Sequence, residues 1–263
     1  MHEQAFAHAY EKALWLEENI MIITVFSGTN HVENSMIAIH LAALRARDHH
    51  EALLIDADPP KHSFLWCLRR STSNATRFHV PVLPVVDASL HAELKQLHSR
   101  CKDIVIDAGG LDETDMQTAL VASRAIVVPT CMASADVPAV VTTLKQAASF
   151  HPEARVIIVA VQGCDDDTSA SASIANKLLA ELPSAKLAHV AIQDRGSVAA
   201  AFWQGLTVFE TTPVDELATA EIEGLAAEVY GGTEDAPGME EEIRAAMATV
   251  ERWRDGAKHR SRT

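Results

Sequence analysis

The feature that most constrains this chain is a succession of short, unbroken apolar runs, each followed by a stretch of different periodicity. The runs are MIITVF (21–26), EALLIDAD (51–58), VPVLPVV (80–86), KDIVIDAGG (102–110), AIVVPT (125–130), ARVIIVAVQ (154–162) and AKLAHVAI (185–192). They are β-branched and show no in-and-out alternation, the pattern of strands buried on both faces. Between them, residues 32–47, 89–100, 114–123, 136–150, 169–181, 197–205 and 217–230 read as helices; Ile37, Leu41 and Leu44 share one helical face in the first. Strands covered on both sides and alternating with helices imply an α/β fold. The sheet is mostly parallel and twisted, with helices on both faces and right-handed crossovers. Residues 1–19 add an amphipathic helix with Ala5, Ala9, Leu14, Trp15 and Leu16 as its stripe. The stretch GGTEDAPG (231–238) is a linker to a last helix, 239–253. The expected division is a helical extension at 1–20, the α/β domain at 21–230, and linker, helix and tail at 231–263.

Composition narrows the function classes. The net charge of −14 excludes nucleic-acid attraction by bulk electrostatics, so a DNA contact needs a local basic patch. Cys67, Cys101, Cys131 and Cys164 form no CxxC pair and read as reduced thiols of a cytoplasmic protein. The apolar runs are strand-length, which gives no membrane span, and the N-terminus has no basic-then-apolar leader. The thirteen histidines, His49-His50 and His2/His8 included, lack metal-ligand spacing with a defined partner.

In open parallel sheets, ligands bind beyond the carboxyl ends of the strands. Three such ends carry suitable residues: 27–35 after the first strand, Asp56 and Asp58 after the second, and Asp107 to Gly110 after a central one. A strand-end Asp followed by Gly suits magnesium-water binding and γ-phosphate sensing in a P-loop NTPase. Alone, each Asp reads equally well as a cap on the next helix.

These segments carry a resemblance. LLIDADPPKHS is similar to the LLIDxDPQ strand and switch I of ParA/MinD proteins. The stretch from DIVIDAGG through VVPTCMASAD resembles their Walker B strand, switch II and VVPxxPSxLD segment. Pro129 and Asp136 match there, and Ala133 replaces a proline. QDRGSVAAAFWQGLTVFE resembles the R…A…GxxVxE stretch through Arg195, Ala199, Gly205, Val208 and Glu210, and TAEIEGLAAEVYG resembles the closing helix. The resemblance spans 21 to about 230 and is closest in spacing to the small plasmid-type ParA group. It implies a P-loop NTPase-like sheet in a cytoplasmic, nucleoid-associated bacterial protein that forms nucleotide-sandwich dimers and positions DNA or other cargo. It also implies roles for single residues: Asp58 orients attacking water, Asp107 and Ser35 serve magnesium, and Gln162 stands near an adenine-reading Asn.

The phosphate-binding loop departs from that pattern. After Gly28, where the family carries K-G-G-x-G-K-[ST]-[ST], this chain has Thr29, Asn30, His31, Val32, Glu33, Asn34, Ser35 and Met36. The helix behind it, IAIHLA, still matches xAINLA, so the alignment holds and the chemistry changes. Loop glycines let backbone amides close on phosphates at positive φ; Asn30 tolerates that conformation, His31 less well and Glu33 poorly. Asn34 cannot neutralise phosphate charge, and Thr29 cannot reach a partner's nucleotide as the signature lysine does. Glu33 brings a carboxylate toward phosphate charge, and two unit charges ~4 Å apart repel by about 4 kcal/mol at an effective dielectric near 20. Ser35 alone survives as a magnesium ligand, and the helix N-terminus remains favourable to anions.

The expectation is therefore a pseudo-ATPase using no ATP/Mg, or ATP/Mg only weakly. It would act as a homodimer, as a heterodimer with an active ParA-type protein, or through an adaptor of a partition or conjugation system. Two other readings stand beside it. A working but unorthodox ATPase would need Lys61 or Arg195 to replace the lost lysines. A DNA-binding accessory factor would use Arg252, Arg254, Lys258, Arg260 and Arg262, a basic cluster on an acidic chain that also reads as a solvated terminus. Helix 239–253 also suits docking on a partner or a second subunit.

Overall fold

In the computed structural model the described residues are 20–27, 32–73, 76–85, 90–97, 100–111, 113–130, 137–162 and 168–231. The strands are β1 (Met21–Val25), β2 (Ala52–Asp56), β3 (Val82–Pro84), β4 (Asp103–Asp107), β5 (Ala125–Pro129), β6 (Arg155–Gln162) and β7 (Lys186–Gln193). The helices are α1 (Val32–Arg47), α2 (His62–Ser71), α3 (Leu90–Leu97), α4 (Glu113–Ala122), α5 (Val137–Phe150), α6 (Thr168–Glu181), α7 (Gly196–Trp203) and α8 (Glu216–Tyr230). The strands form one sheet in the order β3-β2-β4-β1-β5-β6-β7, and every pairing is parallel. The expected α/β sheet with parallel strands and helices on both faces is the observed one.

Side-chain alternation along each strand builds two cores. Met21, Ile23 and Val25 of β1, Leu54 of β2 and Val105 of β4 pack under α1, with Trp66, Phe202, Ile222 and Leu225. Ile22, Ile55, Ile104 and Ile106 point the other way, against Leu90, Leu120, Val140 and Leu178. Helices α1, α2, α7 and α8 thus cover one face, and α3 to α6 the other. Helix α1 is buried nearly all round, from Asn34 to Leu44, because α2 and α8 flank it. Each fully buried Ile or Leu contributes roughly 1.5–3 kcal/mol.

Helix α2 is absent from the sequence expectations. Its N-cap is Lys61, in the left-handed region at φ 57°, with no capping side chain, so the usual Ser/Asp start signal is missing. Its buried positions Ser63, Trp66 and Arg70 give the helical spacing, but only Trp66 is apolar. The other elements fall where the periodicity places them, with ends shifted by a few residues. The third strand shrinks most, to Val82–Pro84.

The carboxyl ends of β1, β2 and β4 lie together. Val25 is level with Asp107 and Asp56 is level with Asp107 in the parallel ladders. The strand order places this end at the crossover between the two halves of the sheet, where open α/β sheets hold ligands. Expectations for 1–19 and 232–263, including the basic tail Arg252, Arg254, Lys258, Arg260 and Arg262, lie outside the described residues. Among the described residues no helix is long and apolar enough to cross a membrane.

Candidate functional site

The loop after β1 is described at Ser27 and again from Val32; Gly28, Thr29, Asn30 and His31 lie outside the described residues. Asn34 and Ser35, in the first turn of α1, are fully buried. The Asn34 side chain turns back to the strand end, its Nδ2 donating to Ser27 Oγ at 2.7 Å. At the position of the expected phosphate lysine, a neutral amide therefore braces the loop's two ends.

Three carboxylates gather beyond the ends of β2 and β4, and one of them, Asp107, meets Ser35 of α1. Asp56 closes β2 and works as a structural cap: its Oδ1 accepts from the Asp58 backbone N–H at 3.1 Å and its Oδ2 from the Phe64 N–H at 2.7 Å. Burial pushes its pKa up, against the pull of those donors and of Lys61. Asp107 closes β4, fully buried, and its Oδ2 accepts from Ser63 Oγ at 2.7 Å. Burial and then the neighbouring Asp56 charge push its pKa up to about 7, while the Ser35 and Ser63 hydroxyls pull the other way. Asp58 is 1% exposed, with His62 Nδ1 3.2 Å from its Oδ2. Burial raises its pKa to about 6; His62 opposes that, and Asp56 adds to it.

Asp58 Oδ1 has no hydrogen-bond partner among the described residues, Asp58 Oδ2 has His62 Nδ1 beside it, and Asp107 and Ser35 meet without a well-formed hydrogen bond at Oδ1 or Oγ. Such incompletely satisfied oxygens are what a hydrated divalent cation satisfies. Among the described residues no three His, Cys, Asp or Glu side chains come together to hold a metal directly. The donors present fit a cation carried on one or two protein oxygens and on water. Two cations weighed as partners for a polyphosphate, Lys61 and Arg195, are engaged elsewhere among the described residues. Lys61 Nζ donates to Val85 O at 2.9 Å and Asp56 O at 3.4 Å, bracing the ends of β2 and β3. Arg195, on the turn before α7, binds the carboxylate of Glu221 through Nη2. Neither side chain stands free to replace a phosphate-binding lysine.

Sequence reasoning missed His62 and Ser63. They follow Asp58 at the end of the segment that resembles switch I, where no helix is expected, and only the first turn of α2 brings both onto the carboxylates. Gln162 is the last residue of β6, level with Gln193 of β7; its side chain lies outside the described set. A shallow pocket lies beside the α1 start, between α1, the ends of β6 and β7, α7 and α8. Its walls include Glu33, Met36, His40, Val161, Ile192 and Ile222, and its cavity volume of ≈ 20 Å³ is about that of one water. His40 in its wall receives the Val208 backbone N–H on Nε2 at 3.2 Å, so Nδ1 carries the proton and donates to Met36 O at 2.6 Å. Burial lowers its pKa to about 4.

The distal segment is tied to α2 by a buried ion pair. Arg70 Nη1 and Nη2 bind Glu210 at 2.7 and 2.8 Å, and Glu210 also accepts from the Thr207 and Arg77 backbone N–H groups. Burial resists ionising Glu210, but these donors outweigh it and hold its pKa below the usual range.

No family model and no curated protein matches the sequence. Solved structures do. Apo McdA from Cyanothece is 14% identical over 80% of this chain and 99% of its own, with a TM-score of 0.62. The MinD cell division protein of Aquifex aeolicus is 15% identical over 82% and 98%, at 0.59. A plasmid partition protein from Borrelia burgdorferi is 14% identical over 82% and 100%, at 0.54. Structures of the same fold include a Cyanothece McdA–ATP complex and an Aquifex aeolicus MinC:MinD complex. The chain has the ParA/MinD-like fold.

Proposed function

We propose that this chain is a ParA/MinD-like positioning or partition protein that has given up ATP turnover and acts through protein contacts. The observation that carries the reading is the charge balance of the site. Asp56, Asp58 and Asp107 lie close together with Asp107 against Ser35 of the α1 start, Asn34 occupies the lysine position, and Lys61 is committed to backbone carbonyls. Among the described residues, a phosphate entering there meets buried carboxylates without a free cation, so electrostatic stabilisation of transferred phosphate is lost. Partition and positioning are drawn from the neighbours of the same fold, which include a partition protein and a MinC:MinD complex. Pairing with an active relative, or with an adaptor protein, follows from an intact fold that does not cycle. The test is steady-state ATP hydrolysis with magnesium by the purified full chain. No turnover above buffer is expected, and Asp58→Ala changes nothing; turnover that Asp58→Ala abolishes overturns the proposal.

The incompletely satisfied oxygens of Ser35, Asp58 and Asp107 favour a second reading, retention of a magnesium-dependent nucleotide site. In it Ser35 and Asp107 hold the ion through water, and Asp58 orients the attacking water. A divalent ion would supply the positive charge this site otherwise lacks. Under this reading the same assay shows magnesium-dependent turnover.

A further inference from the structure

The two edges of the sheet are closed by different means. On one side β3 is only three residues long and carries Pro84, which has no N–H to offer a further strand. On the other side β7 is the last strand among the described residues. It is eight residues long, and Leu187 on it is an exposed apolar side chain. A long edge with open N–H groups is a template for another strand.

Two donors of this edge are filled by helix α8. The His189 backbone N–H donates to Glu228 Oε1 at 2.8 Å, and the Gln193 N–H donates to Glu221 Oε2 at 3.0 Å. Each carboxylate is also held by its other oxygen. His189 Nδ1 lies 3.0 Å from Glu228 Oε2, and Arg195 Nη2 donates to Glu221 Oε1. Arg195, the residue that resembles the family arginine, thus serves the sheet edge.

The spacing of helix and strand is matched. α8 runs antiparallel to β7, since Glu228 meets His189 and Glu221 meets Gln193. Seven residues of helix advance ~10.5 Å and four of strand ~13 Å, so side-chain reach covers the difference. Glu221, Gly224 and Glu228 stand at i, i+3 and i+7, one stripe of the helix. Within that stripe Gly224 closes on the strand: a Cβ there would lie 2.7 Å from Val190 Cγ1. Arg155 of β6 anchors the helix end, its Nη1 and Nη2 donating to the Glu228 and Val229 carbonyls at 3.2 and 2.6 Å. β7 is irregular at the same place. From the Ile158–Leu187 pair to the Ala160–Ala191 pair, β6 advances two residues and β7 four, so the strand bulges around His189.

We propose that Glu221 and Glu228 keep the sheet from growing by strand addition at β7, with Arg195 and His189 holding them in place. The strand kept off is β7 of a second copy of this chain. Two copies related by a two-fold axis would lay these edges antiparallel, an arrangement in which one edge serves as both template and guest. To pair, each copy must lift both carboxylates from their N–H groups. Four carboxylates would then share one seam with reduced hydration, which desolvation and like charge oppose. The guard is independent of nucleotide, since Asp56, Asp58 and Asp107 take no part in it.

Sedimentation velocity of the full chain at rising concentration tests it. Glu221→Ala/Glu228→Ala is expected to shift to twice the mass that wild type shows at the same concentration. Hydrogen exchange across 187–193 slows at least ~10-fold in that species. Adding Leu187→Lys or His189→Pro reverses both effects. An edge lysine resists burial, and the proline removes a donor that is not part of the β6–β7 ladder. Each single alanine variant truncates a partly exposed side chain and is expected to shift in the same direction at higher concentration, which decides the matter if the double variant does not fold. Alanine variants that keep protected β1, β4 and β5 amides and sediment as wild type overturn the proposal. So does association that survives both Leu187→Lys and His189→Pro, which would place the contact elsewhere.

Discussion

Replacing Asp107 with Asn should make the protein more stable, and more so as pH rises. The side chain is fully buried and its pKa is raised to about 7, by burial first and the Asp56 charge second. A carboxyl whose folded pKa is raised favours folding at low pH and loses that favour as pH rises from its unfolded value through its folded one. From the ordinary value near 4 to about 7 the shift is worth up to ~4 kcal/mol at 1.36 kcal/mol per unit, and the part falling between pH 5 and pH 8 is about 2–3 kcal/mol. Asparagine keeps the shape, its Oδ1 can accept from Ser63, and its amide can face the Ser35 hydroxyl. Urea unfolding at pH 5, 6, 7 and 8, without divalent ions, measures the difference. The stability gap between Asp107→Asn and wild type should widen by that amount across the range. A gap independent of pH, or one that narrows, refutes the picture of a carboxylate ionised against its environment.

Other perturbations have different signatures. At pH 8, about 10 mM magnesium should raise the melting temperature of wild type and leave Asp107→Asn unmoved, since a bound cation stabilises by mass action only where its carboxylate is present. Arg70→Met should cost roughly 3–5 kcal/mol in urea unfolding, because it strands the buried Glu210 charge. Gly205→Ala should be among the costliest single-methyl changes: φ there is +71° and an added Cβ would lie 2.3 Å from the Arg70 backbone N, so a loss above about 2 kcal/mol is expected. Restoring glycines and both lysines at 29–34 should create saturable ATP binding in a filter or fluorescence assay; continued absence would show that the loss extends beyond the loop.

Much of the architecture was legible because the inner strands β1, β2, β4 and β5 are buried on both faces, so a parallel sheet between two helix layers is the arrangement that buries them. The strand-end carboxylates were legible for the same reason: Asp58 and Asp107 interrupt runs that are otherwise apolar. Helix α2 was not, because Lys61 enters it at positive φ without a capping side chain, and its buried face includes Ser63 and Arg70. Those polar positions look solvated in sequence and make sense only beside Asp107 and Glu210, which are distant in the chain. With α2 went His62 and Ser63, the residues that complete the carboxylate cluster. Lys61 reads in sequence as a substitute cation; its engagement with the Val85 carbonyl depends on how β2 and β3 end, which spacing does not encode.

The central claim concerns nucleotide affinity, and isothermal titration of the full chain with ATP and ADP in magnesium buffer tests it most directly. The account predicts no saturable heat, meaning a Kd weaker than ~1 mM, or less than about 4 kcal/mol of binding free energy. A saturable isotherm with a micromolar Kd, weakened by Asp107→Asn, would contradict it.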